Sequence, residues 1–170
     1  MRSLIVHTST RRSALLTEGF LGTAAPRSAD LIVLLEIAMG VALLAGAWLA
    51  RTKRFRSHAC CQSVIVLLNL AVIAVMMAPS FRIHVFPRIP AKLGAPYYAV
   101  ATAHAALGTV SELTALYILL STATSVLPDK LRIANYKVWM RSVLVLWWVV
   151  LLLGIATYER WYVLHSPRIW

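Results

Sequence analysis

Residues 101–115 read ATAHAALGTVSELTA. The stretch lies inside an apolar run of about one membrane thickness, yet it carries His104 and Glu112. Eight positions separate the two, so they fall near one face of a helix about two turns apart, with Gly108 and Ser111 on the same stripe. A histidine and a carboxylate in a lipid-compatible helix are costly to bury and need a partner, a ligand or a wet cavity.

Composition places that helix in a membrane. Of 170 residues, 60% are hydrophobic and 14% charged, where a soluble domain carries about 25% charged residues. Mean hydropathy is +0.74. The formal charge of +11 would suit nucleic acid, but the basic residues cluster at the ends of apolar runs. Anionic headgroups and the positive-inside rule place them there, so no nucleic-acid partner is expected. Cys60 and Cys61 are the only cysteines. They are adjacent, which excludes an intrachain disulfide framework, and they read as small packing residues.

Four apolar runs predict an all-α, polytopic, four-helix membrane bundle with spans at 31–50, 58–78, 97–121 and 138–158. The membrane domain is expected over 31–162, after a polar basic tail at 1–30 and before a short tail at 163–170. Residues 8–13, TSTRRS, resemble a twin-arginine start, but Glu18 and Pro26 break the apolar run that such a signal needs next. A short interfacial segment is expected at Phe20 and Leu21. The first span carries Glu36, with Gly40 and Ala47 as a small-residue stripe. In the second, His58, Gln62, Ile65, Asn69 and Met76 share a helical face, with Val64, Leu67, Leu68 and Val75 elsewhere. Four prolines and a glycine in residues 79–96 predict an irregular connection. Tyr97, Tyr98, Tyr158, Trp161 and Tyr162 form an aromatic belt at one interface, and Tyr136 and Trp139 suit the opposite one. Loop 51–57 holds four basic residues and loop 128–137 three. That density predicts both loops in the cytoplasm of a bacterial cytoplasmic membrane, with the termini outside.

Rise per residue converts position to depth and predicts two polar layers. Glu36 lies about 8 Å and His104 about 10 Å from the outer side, which makes Glu36, His104, His84 and Met76 the candidate cofactor-binding cluster. Glu112, about 22 Å down its span, joins Arg141, His58 and Gln62 in an inner cluster, with Glu112–Arg141 as an expected ion pair. A b-type haem is the natural cofactor to test in a four-helix bundle. Depth separates His58 from His104, leaving His84 or a non-histidine group as the second axial ligand. Copper at His84, His104 and Met76 is chemically reasonable, and a quinone could hydrogen-bond to His104 or Glu36. No cofactor is required by the sequence, and it contains no phosphate loop, zinc-protease motif, Rossmann fingerprint or nucleophile elbow.

Five segments carry a family resemblance: GFLGTAAPRSADLIVLLEIAMG, RFRSHACCQSVIVLLNL, PSFR, YYAVATAHAALGTVSELTALYILL and YKVWMRSVLVLWWVVLLLGIATYERWY. Together they resemble the small four-helix membrane proteins catalogued as domain of unknown function 420, over most of residues 19–162. Matching positions include His58, Gln62, His104, Lys137, Trp139, Met140, Arg141, Gly154 and Tyr158. Some relatives are implicated in cytochrome c oxidase assembly or activity. The resemblance therefore implies a non-catalytic accessory or assembly subunit of a respiratory or redox membrane complex, embedded in the lipid bilayer with other subunits or with copies of itself. An electron-transfer module with one haem or copper near His104 and a proton or ion pathway component are the alternatives.

Overall fold

In the computed structural model, residues 19–124, 127–133 and 135–164 are described. The twin-arginine-like stretch, most of the expected N-terminal tail and residues 165–170 of the expected C-terminal tail lie outside them. Helix α1 spans Arg27–Arg51 and α2 spans Phe55–Val72. A wide turn at Ile73–Met77 leads directly into α3, Ala78–His84. A tight turn at Phe86–Arg88 and the short α4, Ile89–Lys92, come next. Helix α5 is Pro96–Ala123, and α6 is Tyr136–Tyr158 with a wide-turn extension over Glu159–Val163. Four of these helical stretches are long and apolar enough to cross a membrane. The chain is an all-α, four-helix integral membrane protein.

The helices form a ring. Two extensive pairings, α1 with α2 and α5 with α6, are joined by α1 against α6 and by a narrower seam between α2 and α5. Met39, Leu43, Ile65, Val66, Ile118 and Trp147 build the central core. A second small core of Val85, Tyr98 and Ala101 pins the α3–α4 connection to the start of α5. Val64, Leu67, Leu68 and Val75 all point outward, as their offset from the polar face of α2 predicts. Only 17–22% of each span's apolar window is buried inside the bundle, so the rest must be covered by lipid tails or by other apolar protein.

Residues 79–96 form no single regular helix, as their prolines and glycine predict, but helix does continue through Pro79. Proline lacks an N–H and its ring crowds the carbonyl four residues back. The wide turn just upstream resolves this, with the Ala78 N–H reaching back five residues to the Ile73 carbonyl. Loosening the helix there gives the ring room, and Pro79 sits in the first turn of α3, where its missing donor costs nothing.

The start of α1 differs from the sequence expectation. Asp30 belongs to the helix rather than to a solvated tail, and it is completely buried. Its Oδ2 accepts the N–H groups of Phe20 at 2.7 Å and Leu21 at 2.9 Å. Its Oδ1 accepts the Tyr158 hydroxyl at 2.5 Å. Because that proton is committed, Tyr158 accepts in turn from Thr23, 2.6 Å away. Residues 19–25 thus fold back over the end of the bundle as a strap tied to α6. Gly19 permits the approach, since a Cβ there would collide with Oδ2, and Gly22 turns the strap at a positive φ of 70°. Asp30→Ala should lower stability by about 2–4 kcal/mol, because it strands three donors at once. Thermal unfolding in detergent checks the loss, and faster amide exchange at Phe20 and Leu21 locates it; unchanged exchange at both would refute the strap.

Candidate functional site

A cavity of about 380 Å³ lies between α1, α2–α3, α5 and α6. Most of its wall is apolar, but Glu36, Asn69, His104 and Ser111 face it, with Tyr97, Tyr158 and Trp161 at one end. Those aromatics cluster as the belt pattern predicts, with Tyr97 and Trp161 ring centres 4.3 Å apart. Glu36 and His104 lie about 13 Å and 12 Å along their helices from the aromatic end. The site is therefore deep, not interfacial.

His104 is held from across the α5–α6 pairing. Its Nδ1 lies 2.9 Å from the Val150 carbonyl. A carbonyl only accepts, so Nδ1 carries the hydrogen, and the neutral ring presents a lone pair at Nε2. Nε2 has no hydrogen-bond partner among the described residues. Gly154 makes this geometry possible. In a helix the side chain at position i+4 stands over the carbonyl at i, and Gly154 leaves the Val150 carbonyl uncovered. A Cβ on Gly154 would sit 2.9 Å from His104 Cε1.

The carboxylates meet a different partner from the expected one. Asn69 Nδ2 donates to Glu112 Oε2 at 2.8 Å. Arg141 is exposed on the outer face of α6, beside a shallow groove with Ser142 and Val145, and makes no ion pair with Glu112. Glu112 and Asn69 are 4% and 8% exposed, yet Glu112 Oε1, Asn69 Oδ1 and the Ser111 hydroxyl have no partner among the described residues. Glu36 is also buried and makes no hydrogen bond among the described residues, though it lies within electrostatic reach of Glu112. The two expected layers therefore come closer on the carboxylate side than the sequence depths suggest. Helix α1 starts four residues earlier than the sequence suggested. That narrows the Glu36–Glu112 depth difference to about 10 Å.

Three further expectations are corrected. His58 and Gln62 do not join Glu112 and Arg141. His58 Nδ1 pairs with the Gly46 carbonyl at 2.8 Å, and Gln62 packs where a Gly46 side chain would be. His84 is exposed and lies off the cavity wall. Met76 is half-buried, but Met77 lines the cavity in its place. The wide turn at Ile73–Met77 explains the exchange, because one extra residue per turn rotates everything after it off the regular helical stripe. His84, His104 and Met76 are thus not brought together for copper. His84 cannot serve with His104 as a second haem ligand. Among the described residues no group of three His, Cys, Asp or Glu side chains could hold a metal ion.

Asp30 and the role of Asn69 are the functional-site features that sequence reasoning missed. Asn69 has a visible signal as the lone polar residue in VIVLLNLAVIAV. Asp30 has none beyond its place before an apolar run. Comparison with family models, curated proteins and solved structures found no match to this chain.

Two predictions test the site. Asn69→Leu should cost about 1–3 kcal/mol by leaving Glu112 without its donor, whereas Arg141→Ala should shift stability by no more than about 0.5 kcal/mol. Thermal unfolding of both variants in detergent decides; a larger loss for Arg141→Ala would restore the ion pair. Gly154→Ala should cost about 1–3 kcal/mol by displacing the His104 ring. Adding His104→Ala should recover part of that loss, as a double-mutant cycle would measure; strictly additive losses would show that the two residues do not meet.

Proposed function

We propose that this chain is a non-catalytic accessory or assembly protein of a respiratory or other redox membrane complex. It belongs, on this reading, with the domain of unknown function 420 proteins that its segments resemble. It lies in a bacterial cytoplasmic membrane with loops 51–57 and 128–137 in the cytoplasm and the termini outside. The observation that carries the proposal is where the resembling positions fall. His104 seats against Gly154, His58 and Gln62 both meet the Gly46 backbone, and Tyr158 ties down the strap. These five of the nine matching positions thus join neighbouring parts of the bundle, which suits a role set by its shape, while Lys137, Trp139 and Arg141 are exposed. Broad outward apolar faces offer area for partner subunits or a second copy, and the exposed Arg141 on α6 gives such a partner a charge to meet.

A second reading, a single-haem electron-transfer module, draws support from His104. A histidine whose Nδ1–H is held by a backbone carbonyl is oriented as metal-ligating histidines are. The cavity fits haem poorly, however. No second histidine lines it, and neither Lys nor Arg is there to neutralise two propionates. The accessory role is the better reading. Deleting the gene should leave membranes with less assembled haem-containing terminal oxidase and correspondingly lower oxygen consumption on an oxidase substrate. Oxidase level and activity equal to those of the parent strain would overturn the proposal.

A further inference from the structure

We propose that the cavity beside His104 binds a neutral, membrane-soluble ring bearing hydroxyl groups, of the hydroquinone class. This goes beyond the accessory role and does not depend on it. The volume, about 380 Å³, falls in the range of small-molecule sites, about 300–1,000 Å³. It holds a substituted ring and leaves an apolar tail outside. The polar groups are those such a ring needs. His104 Nε2 offers a lone pair and therefore takes a hydroxyl donor. Glu36 offers a carboxyl group that can accept from, or when protonated donate to, a second ring oxygen. Asn69 and Ser111 also line the wall, with Asn69 Oδ1 and the Ser111 hydroxyl enclosed within it. Polar groups in an apolar wall need partners, and one hydroxylated ring satisfies both His104 Nε2 and Glu36.

Charge and depth exclude the commoner membrane ligands. No Lys or Arg lines the cavity, so an anionic phosphate or carboxylate head would be uncompensated about 12 Å below the helix ends. The way in lies between α3 and α5. Ala78 on α3 and Thr109 on α5 both line the cavity and are also exposed at the surface. The wide turn at Ile73–Met77 forms part of that wall through Ile73 and Met77. Such turns recur at functional sites because they reshape a helix face locally.

The test uses the full-length protein in phosphatidylcholine nanodiscs with decyl-ubiquinol as probe under anaerobic conditions. Trp147 and Trp161 line the cavity, so tryptophan quenching reports occupancy. Saturable binding of one probe per chain is expected, with decyl-ubiquinone weaker by about tenfold because its carbonyls cannot donate to Nε2. His104→Phe should lose about tenfold or more in affinity. Ala105→Phe, which adds bulk at the cavity wall, should abolish binding while the helical circular dichroism stays unchanged. Absence of saturation in the wild type, or equal affinity in the wild type and both variants, would overturn the proposal. So would displacement of the probe by phosphatidylglycerol, which would make the cavity a lipid seat, or a haem Soret band in protein that takes no quinol.

Discussion

One hydrogen bond organises the middle of this bundle: His104 donating from α5 to the Val150 carbonyl of α6. A helix in lipid normally keeps its carbonyls to itself, because any unsatisfied group is costly there. Val150 keeps its place in the helix and uses the second lone pair of its oxygen for His104. Gly154 uncovers that oxygen, so the bond needs two residues fifty positions apart in the chain to be right together. The consequence reaches beyond the pairing. With Nδ1 fixed, the ring orientation is fixed, and the second nitrogen is left as an acceptor at the wall of the cavity.

The opposite wall works by another logic. Asn69 reaches from α2 to Glu112 on α5 across the narrowest of the four helix seams. A neutral amide is a suitable partner for a carboxyl group in this position. It supplies a donor without bringing in a second charge that must itself be desolvated. Arginine would have had to cross the bundle from the outer face of α6, whereas from that face it can reach the headgroups with its stem along apolar surface. The expected Glu112–Arg141 pair fails for that reason: sequence depth put the two at one level but could not say that they point in opposite directions.

Much of the fold was legible. Apolar run length located all four spans, and helical offset sorted Val64, Leu67, Leu68 and Val75 from Ile65 and Asn69 correctly. The candidate site was legible only in part. His104 and Glu36 belong to the predicted outer cluster, and the structure places both on one cavity. The other two members of that predicted cluster, His84 and Met76, were lost to a single local event. Helical periodicity extrapolates only while the helix stays regular, and the wide turn at Ile73–Met77 shifts the stripe by one residue, replacing Met76 by Met77. Asp30 was hidden for a different reason. A carboxylate before an apolar run reads as solvated, and only the folded-back strap, ten residues upstream and made by two glycines, removes the water.

The strap and the cavity are joined through Tyr158. Its hydroxyl closes the Asp30 network, while its ring lines the aromatic end of the cavity. Tyr158 therefore cannot swing away without stranding a buried carboxylate, and residues 19–25 cannot lift without freeing Tyr158. The other boundary, between α3 and α5, is lined by Ala78 and Thr109 and lies beside the wide turn at Ile73–Met77. The molecule is cross-linked at Asp30 and His104 and closed only by side chains as short as Ala78 and Thr109 where its cavity meets the surface. That asymmetry is what a site filled sideways from lipid requires.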